Sequence, residues 1–338
     1  MTKYQIYLTF CHTNYIIAIG LTTIDLKNLV FYEEIFMNLI AQDLHKRFGS
    51  LEVLKGVSFS VESGKTFAFL GRNGAGKSTT IRIILDVFKA DKGSLLLDGK
   101  PFIPNQDRIG YLPEEKVLYP KKRIIDQLVY FATLKGMKEA QAKKACFHYL
   151  ERLGLLERKN KQVSDLSKGN QQKLQMIIAL VHNPDILIFD EPFSGLDPVN
   201  AEILKELVRE EVKKGKIVFL SSHQMNYVEE FCTDMAILNG GKVVLSGNIS
   251  DIRKSYTRDK LKIISDDIDK INLEYAQNIV NATDESQVHT NSTVLQFSDI
   301  AQAQHAMRTI TSKYTVDEIG IVEPTLNEIF VEHTKDSV

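Results

Sequence analysis

The chain has 338 residues, 43% hydrophobic and 25% charged, enough for two domains with substantial cores. Its 42 basic and 43 acidic residues leave a formal charge of −1, which excludes a global electrostatic pull toward nucleic acid or anionic lipid. Cys11, Cys146 and Cys232 lie far apart without CxxC or metal-ligand spacing, and read as reduced and structurally incidental.

No stretch approaches the roughly 18 consecutive apolar residues that a membrane-spanning helix requires. The nearest candidate, 15–21, is short, is soon followed by Asp25 and Lys27, and lacks the small-residue site of a signal peptide. Any membrane role must come through a partner. The first 36 residues look foreign to the rest of the chain. Residues 38–41 form a first strand, and the apolar runs 57–61 and 66–70 read as a β-hairpin across a Gly-containing turn. A helix follows over 78–88, then short strands at 94–97 and 108–112. Apolar residues recur at three- and four-residue spacing through 121–158, which predicts helix. Another helix covers 169–182 and stops before Asn183-Pro184. Strand and helix then alternate through 186–190, 198–214, 217–221, 225–231 and 234–238, implying parallel strands with crossover helices, an α/β core. Near 251–260 the character turns polar. Strands near 261–264, 293–297 and 316–322, with helices over 301–312 and 325–333, predict a small α+β domain.

Gly71-Arg72-Asn73-Gly74-Ala75-Gly76-Lys77-Ser78, followed by Thr79, fits GxxxxGK[ST], the phosphate-loop pattern. Its glycines let successive backbone N–H groups face phosphate, and the helix that follows adds a favourable dipole. Lys77 should reach the β- and γ-phosphates and Ser78 should bind Mg²⁺. A strand before the loop and a helix after it argue against a mere Gly-rich turn. Residues 186–189 lead as an apolar strand into Asp190 and Glu191. Asp190 suits the Mg²⁺ shell and Glu191 a general base, although a solvated turn at a strand end has the same composition.

Between these motifs stands Leu166-Ser167-Lys168-Gly169-Asn170-Gln171-Gln172, which resembles the LSGGQ signature of ABC-type ATPases. Ser194-Gly195-Leu196-Asp197 resembles their D-loop, and Ser221-Ser222-His223 their switch histidine. Order and spacing agree over about residues 37–249. The resemblance implies a P-loop NTPase cassette, an α/β RecA-like core with an antiparallel β subdomain and a helical subdomain at about 121–168. It spans 37–255, with a C-terminal α+β domain at 256–338. Cassette sequence of this kind begins just after Met37, so 1–36 is expected to be an N-terminal extension upstream of the natural start. The resemblance also implies a head-to-tail homodimer. Each site would use Lys77, Ser78, Asp190, Glu191 and His223 from one subunit. Ser167 and the Gly169 amide of the other would close over the γ-phosphate, with Asp197 at the same interface. Phe48 matches the aromatic that stacks on adenine.

Two features depart from the common pattern. Lys168 and Asn170 stand where Gly and Gln are usual, and Glu114 closes Gly110-Tyr111-Leu112-Pro113-Glu114 where most relatives carry glutamine. Glu114 can still orient water or approach Mg²⁺, at the cost of negative charge beside phosphate. The segment 112–120 and the signature look like a prokaryotic exporter subgroup that includes sodium-efflux ATPases and drug or peptide exporters. The end of the chain, 324–330, resembles the small domain that follows their cassette. The implied protein is an ATP-hydrolysing subunit with ATP and Mg²⁺ as ligands, cytoplasmic and peripheral on the inner face of the membrane, driving a separate permease. A soluble relative acting on ribosomes or chromosomes fits less well, because this chain has one P-loop, no sustained heptads and no basic footprint.

Overall fold

The computed structural model describes residues 37–103, 108–115, 117–222, 224–280 and 291–335. The expectations for 1–36, Cys11 and His223 lie outside the described residues. All described residues belong to one unit, Ile35–Val338.

An antiparallel sheet opens the described residues, in the order β2-β1-β4-β5, from β1 (Asn38–Phe48), β2 (Leu51–Glu62), β4 (Lys92–Leu97) and β5 (Lys100–Pro101). Leu39, Ala41 and Leu44 turn inward from β1, and Val57, Phe59 and Val61 from β2. The expected hairpin between 57–61 and 66–70 does not form. β2 pairs with β1, whereas β3 (Thr66–Gly71) enters a different sheet between β8 and β9. Every residue of β3 is buried, the mark of a central strand covered on both faces. The Glu62–Lys65 turn is therefore a corner between sheets, which a short Gly-containing connection serves equally well.

The second sheet runs β10-β9-β3-β8-β7-β6, with β6 (Ile109–Leu112), β7 (Ile186–Asp190), β8 (Ile217–Ser221), β9 (Asp234–Asn239) and β10 (Lys242–Asn248). All neighbours are parallel except β10, which closes the edge antiparallel to β9. Side chains alternate strictly between two cores. Ala68, Leu70, Leu187, Phe189 and Leu220 pack on one face, and Phe67, Phe69, Ile186, Ile188 and Phe219 on the other. The edge strand β10 alternates exposed with half-buried residues, too polar a pattern to stand out in sequence. α1 (Lys77–Ile84), α4 (Lys168–Leu180), α5 (Pro198–Lys213) and α6 (Met225–Phe231) precede or connect these strands. Because β3, β6, β7 and β8 are parallel, their C-terminal ends share one edge of the sheet, where ligands bind in such folds.

The helical run of 121–158 divides into α2 (Ile124–Leu134) and α3 (Glu139–Arg152), broken at Gly136, whose φ of 82° ends the first helix in the left-handed region. Leu128, Ala132, Ala142, Cys146 and Leu150 bury their shared face; Cys146 and Cys232 are both buried free thiols. α7 (Ile249–Ser255) leads to a third, antiparallel sheet ordered β12-β13-β11-β14: β11 (Lys260–Ile264), β12 (Ile279–Val280), β13 (Ser292–Gln296) and β14 (Glu318–Val322). α8 (Ile268–Glu274) and α9 (Ile300–Lys313) cover one face of it, around Leu261, Ile263, Ile271, Leu295 and Ile310. The last helix, α10 (Leu326–Thr334), begins with a capping box between Thr325 and Glu328 and buries Leu326 and Ile329 in the core of the central sheet. Among the described residues no helix is long and apolar enough to cross a membrane.

Candidate functional site

The phosphate loop leaves β3 at Gly71 and enters α1 at Lys77. Gly76 is irreplaceable on two counts. Its φ is 112°, and a Cβ there would lie 2.6 Å from Leu54 Cδ2. The missing Cβ thus lets the loop lie close against Leu54 of β2. α1 has no side-chain cap and no acidic residue in its first turn, so its leading N–H groups are left for an anion. Ser78 is exposed at that end and Thr79 half-buried, while Thr80 turns inward and donates to Gly76 O at 3.0 Å.

Lys77 folds back over the loop, its ammonium donating to Gly71 O and, at 3.3 Å, to Arg72 O. Burial lowers its pKa, and the charges of Glu191, Asp190 and Glu114 act in that order against the shift. One half-buried cation therefore lies in the field of three carboxylates, each at or just beyond a strand end. Both of these hydrogen bonds go to neutral carbonyls, partners that an anionic oxygen displaces readily.

Asp190 ends β7 and accepts a short hydrogen bond from the hydroxyl of Ser221, its register partner on β8. Glu191 has φ 50°, a left-handed conformation that costs a non-glycine residue about 1–3 kcal/mol. Its N–H donates to Ser221 O at 3.0 Å and its Oε2 accepts from Ser222 Oγ at 3.2 Å. The reversed backbone sends the Glu191 carboxylate off the strand line, so the two neighbouring acids face different tasks. The Tyr111 hydroxyl is pushed up to about 12, by burial first and by Asp190 next. Glu114 sits two residues past β6, the strand beside β7. The donor set suits Mg²⁺: a serine hydroxyl at Ser78, a fixed carboxylate at Asp190 and a further carboxylate at Glu114 are hard oxygen ligands of the kind that ion takes alongside phosphate and water.

The signature segment forms a second cluster. Ser167 caps α4, its hydroxyl accepting from Asn170 N at 3.3 Å, and it is exposed, as is Lys168. Asp197 caps α5, accepting from Asn200 N at 3.0 Å, and these bonds to Asn200 hold its carboxyl below the usual range. Gly169 lies under Asn200, whose Nδ2 would stand 3.1 Å from an added Cβ. Gln172 Nε2 donates to Pro192 O at 3.0 Å. The two segments, separate in sequence, are one structural piece. Among the described residues no hydrogen bond or ion pair joins Ser167, Gly169 or Asp197 to the phosphate loop.

Phe48 ends β1, 47% exposed, edge-on to Phe88 at 5.4 Å with Lys46 Nζ 5.7 Å from its ring. It pairs with Leu51, three residues before the Leu54 that touches Gly76, so an open aromatic face stands at the phosphate-loop end of the first sheet. Three residues escaped sequence reasoning. Asn200 ties the signature to Asp197, Ser222 holds Glu191, and the almost fully buried Gln175 links α4 to Glu115 O at 3.3 Å. Ser222 and Gln175 carry no local signal, because each acts across elements far apart in sequence, whereas Asn200 bonds to Asp197 only three residues away.

The family described as "ABC transporter" matches residues 54–194, and the family described as "ATP-binding protein DrrA1-3-like, C-terminal domain" matches 247–334. An uncharacterized ABC transporter ATP-binding protein of Bacillus subtilis, YhaQ, is 40% identical over 85% of this chain and 95% of its own length. The Nod factor export ATP-binding protein I of Cupriavidus pinatubonensis is 32% identical over 68% of this chain and 72% of its own. A solved structure titled "Structure of ATP binding subunit of ABC transporter" superposes with a TM-score of 0.59 at 32% identity, covering 64% of this chain and 92% of that one.

Proposed function

From the premise that the chain belongs to the ABC transporter ATP-binding proteins, ATPases that bind and hydrolyse the nucleotide, we propose that it is the motor of an exporter, working as a homodimer beneath a separate membrane permease. The observation that carries this reading is Lys77 at a bare helix N-terminus, facing Asp190, Glu191 and Glu114.

In the proposed site, backbone N–H groups of Gly71 and of the run Asn73, Gly74, Ala75, Gly76, Lys77, Ser78 and Thr79 surround the β- and γ-phosphates. Lys77 leaves the carbonyls of Gly71 and Arg72 for phosphate oxygen, exchanging neutral acceptors for charged ones. Phe48 stacks on the base. Glu191 orients and deprotonates the attacking water, with Ser222 Oγ fixing its carboxylate. His223 holds the γ-phosphate side. Mg²⁺, when bound with the nucleotide, neutralises phosphate charge; Ser78 and Asp190 would hold it, with Glu114 beside them. Ser167 Oγ and the Gly169 N–H of the second copy close over the γ-phosphate from an exposed N-terminus of α4.

Transmission to the permease runs through residues 121–158. A cleft of about 380 Å³ opens there, lined by Tyr119, Lys122, Asp126, Gln127 and Tyr130. Gln175 joins α4 to the segment that follows Glu114, so a shift of the nucleotide reaches this surface through one buried amide. Export is favoured by a relative named for Nod factor export. The protein would then sit at the inner membrane face, held by its partner and without nucleic acid. Co-purification with a multi-helix membrane protein that raises ATP turnover is the expected result. Turnover by a strictly monomeric chain, insensitive to Ser167→Arg, would overturn the dimer mechanism.

A further inference from the structure

The C-terminal helix ends against the phosphate loop. At its start, Leu326 and Ile329 are fully buried among residues of the central sheet, and the Leu326 N–H donates to the Glu229 carboxylate of α6. At its finish, the last carbonyls carry the negative end of the helix dipole. Donors from the ATPase domain meet them there. Asn239 Nδ2, at the end of β9, donates to His333 O at 3.0 Å, and the guanidinium of Arg72 donates to Thr334 O at 3.5 Å. Arg72 is the second residue of the phosphate loop. His333 Nε2 lies 2.8 Å from the Tyr256 hydroxyl, which fixes the helix end toward α7 as well.

The same helix is tied to the accessory sheet. β14 reaches α10 through Glu323, which pairs with Arg258 and, at 3.9 Å, with Arg253. Glu328, the capping-box residue, accepts from Lys260 of β11. One short, well-capped helix thus has the accessory sheet at its head and the phosphate loop at its tail.

We propose that α10 is a strut through which the C-terminal domain sets the posture of the phosphate loop, with Arg72 as the positioning residue at its tip. The loop is pinned at Arg72 from two sides. Lys77 holds the Arg72 main-chain carbonyl, and the helix end holds the Arg72 side chain. When Lys77 turns to phosphate, the Ala75 N–H still holds the Arg72 carbonyl at 3.1 Å, and the contact to α10 is what ties this stretch to the C-terminal domain. Losing it makes nucleotide pay the entropy of fixing the loop, so affinity falls while the chemistry, which belongs to Glu191, stays. Displacement of the C-terminal domain, by a partner or a ligand, would act through the same contact.

The inference rests on the phosphate loop being the ATP site, which the experiment checks first: the full chain binds a fluorescent ATP analogue and Lys77→Ala abolishes that binding. Arg72→Ala is then expected to weaken binding about fivefold with turnover at saturation changed less than about twofold. Arg72→Lys, which keeps a cation able to reach Thr334 O, restores most of the affinity. The decisive variant is Glu323→Ala, on the accessory side, which weakens binding about two- to threefold and adds nothing when combined with Arg72→Ala. Unchanged affinity in Glu323→Ala, or losses that simply add, overturns the strut. Analogue binding that survives Lys77→Ala overturns the site assignment itself and the strut with it.

Discussion

The strand-end cluster and the signature cluster are built on opposite principles. Lys77, at the N-terminus of α1, shares one electrostatic field with Asp190, Glu191 and Glu114, which stand at or just past the ends of buried parallel strands and include a strained backbone at Glu191. Ser167, Gly169 and Asp197 lie at helix N-termini on exposed turns, with polar groups satisfied locally by Asn170 and Asn200. The first cluster sets one cation against three carboxylates, an imbalance that a divalent cation arriving with nucleotide would relieve; the second has none of its own. This contrast supports the proposed division of labour, in which the strand ends would bind and cleave while the helix caps would recognise what is already bound.

The largest effect should come from the strained residue. Glu191→Gln keeps the shape and the Ser222 contact but removes the base, so steady-state turnover is expected to fall about 10²- to 10⁴-fold. Bound ATP should persist, and size-exclusion chromatography with ATP should show more dimer than the parent chain. Unchanged turnover would move the base elsewhere.

Gly169→Ala tests the other cluster. The added methyl would stand 3.1 Å from Asn200 Nδ2, pushing the amide that holds Asp197. Turnover should fall about tenfold, roughly 1.4 kcal/mol, with ATP affinity of the monomer unchanged. A matching loss of monomer affinity would mean that the two clusters belong to one site within a single chain.

That division was half legible in sequence. The phosphate loop, the acidic strand end and the signature could be read because each is contiguous and its chemistry demands fixed spacing. The strands 186–190 and 217–221 were placed to the residue because buried parallel strands are unbroken apolar runs. The supposed hairpin at 57–70 failed for the same reason in reverse: a run buried on both faces cannot announce which neighbour it pairs with. The Ser222 hold on Glu191, the Gln175 bridge to Glu115 and the landing of α10 on Arg72 are long-range facts, and no window of residues contains them.

Phe48→Ala sharpens the comparison on the binding side. The ring is 47% exposed and packs edge-on to Phe88, so its loss costs the fold little. Stacking of this kind is worth about 0.5–1.5 kcal/mol, so the dissociation constant for ATP should rise about two- to twelvefold. Turnover at saturation should not change. A loss confined to turnover would remove Phe48 from the base site and leave it a strand-end aromatic.

The smallest effect is expected at Glu114, and it asks whether the strand-end cluster needs all three of its carboxylates. Glu114 lies on an exposed turn, and its influence on Lys77 ranks below those of Glu191 and Asp190. Glutamine there keeps an oxygen that can approach metal or water and removes one negative charge facing the triphosphate. An exposed charge of this kind is worth about 0.2–1 kcal/mol, so binding of ATP measured without Mg²⁺ should tighten by about 1.4- to fivefold. With Mg²⁺ present the gain should shrink, because the cation already compensates the carboxylate, and hydrolysis should continue. Abolished hydrolysis in Glu114→Gln would show that the third carboxylate does chemistry that Glu191 cannot supply alone.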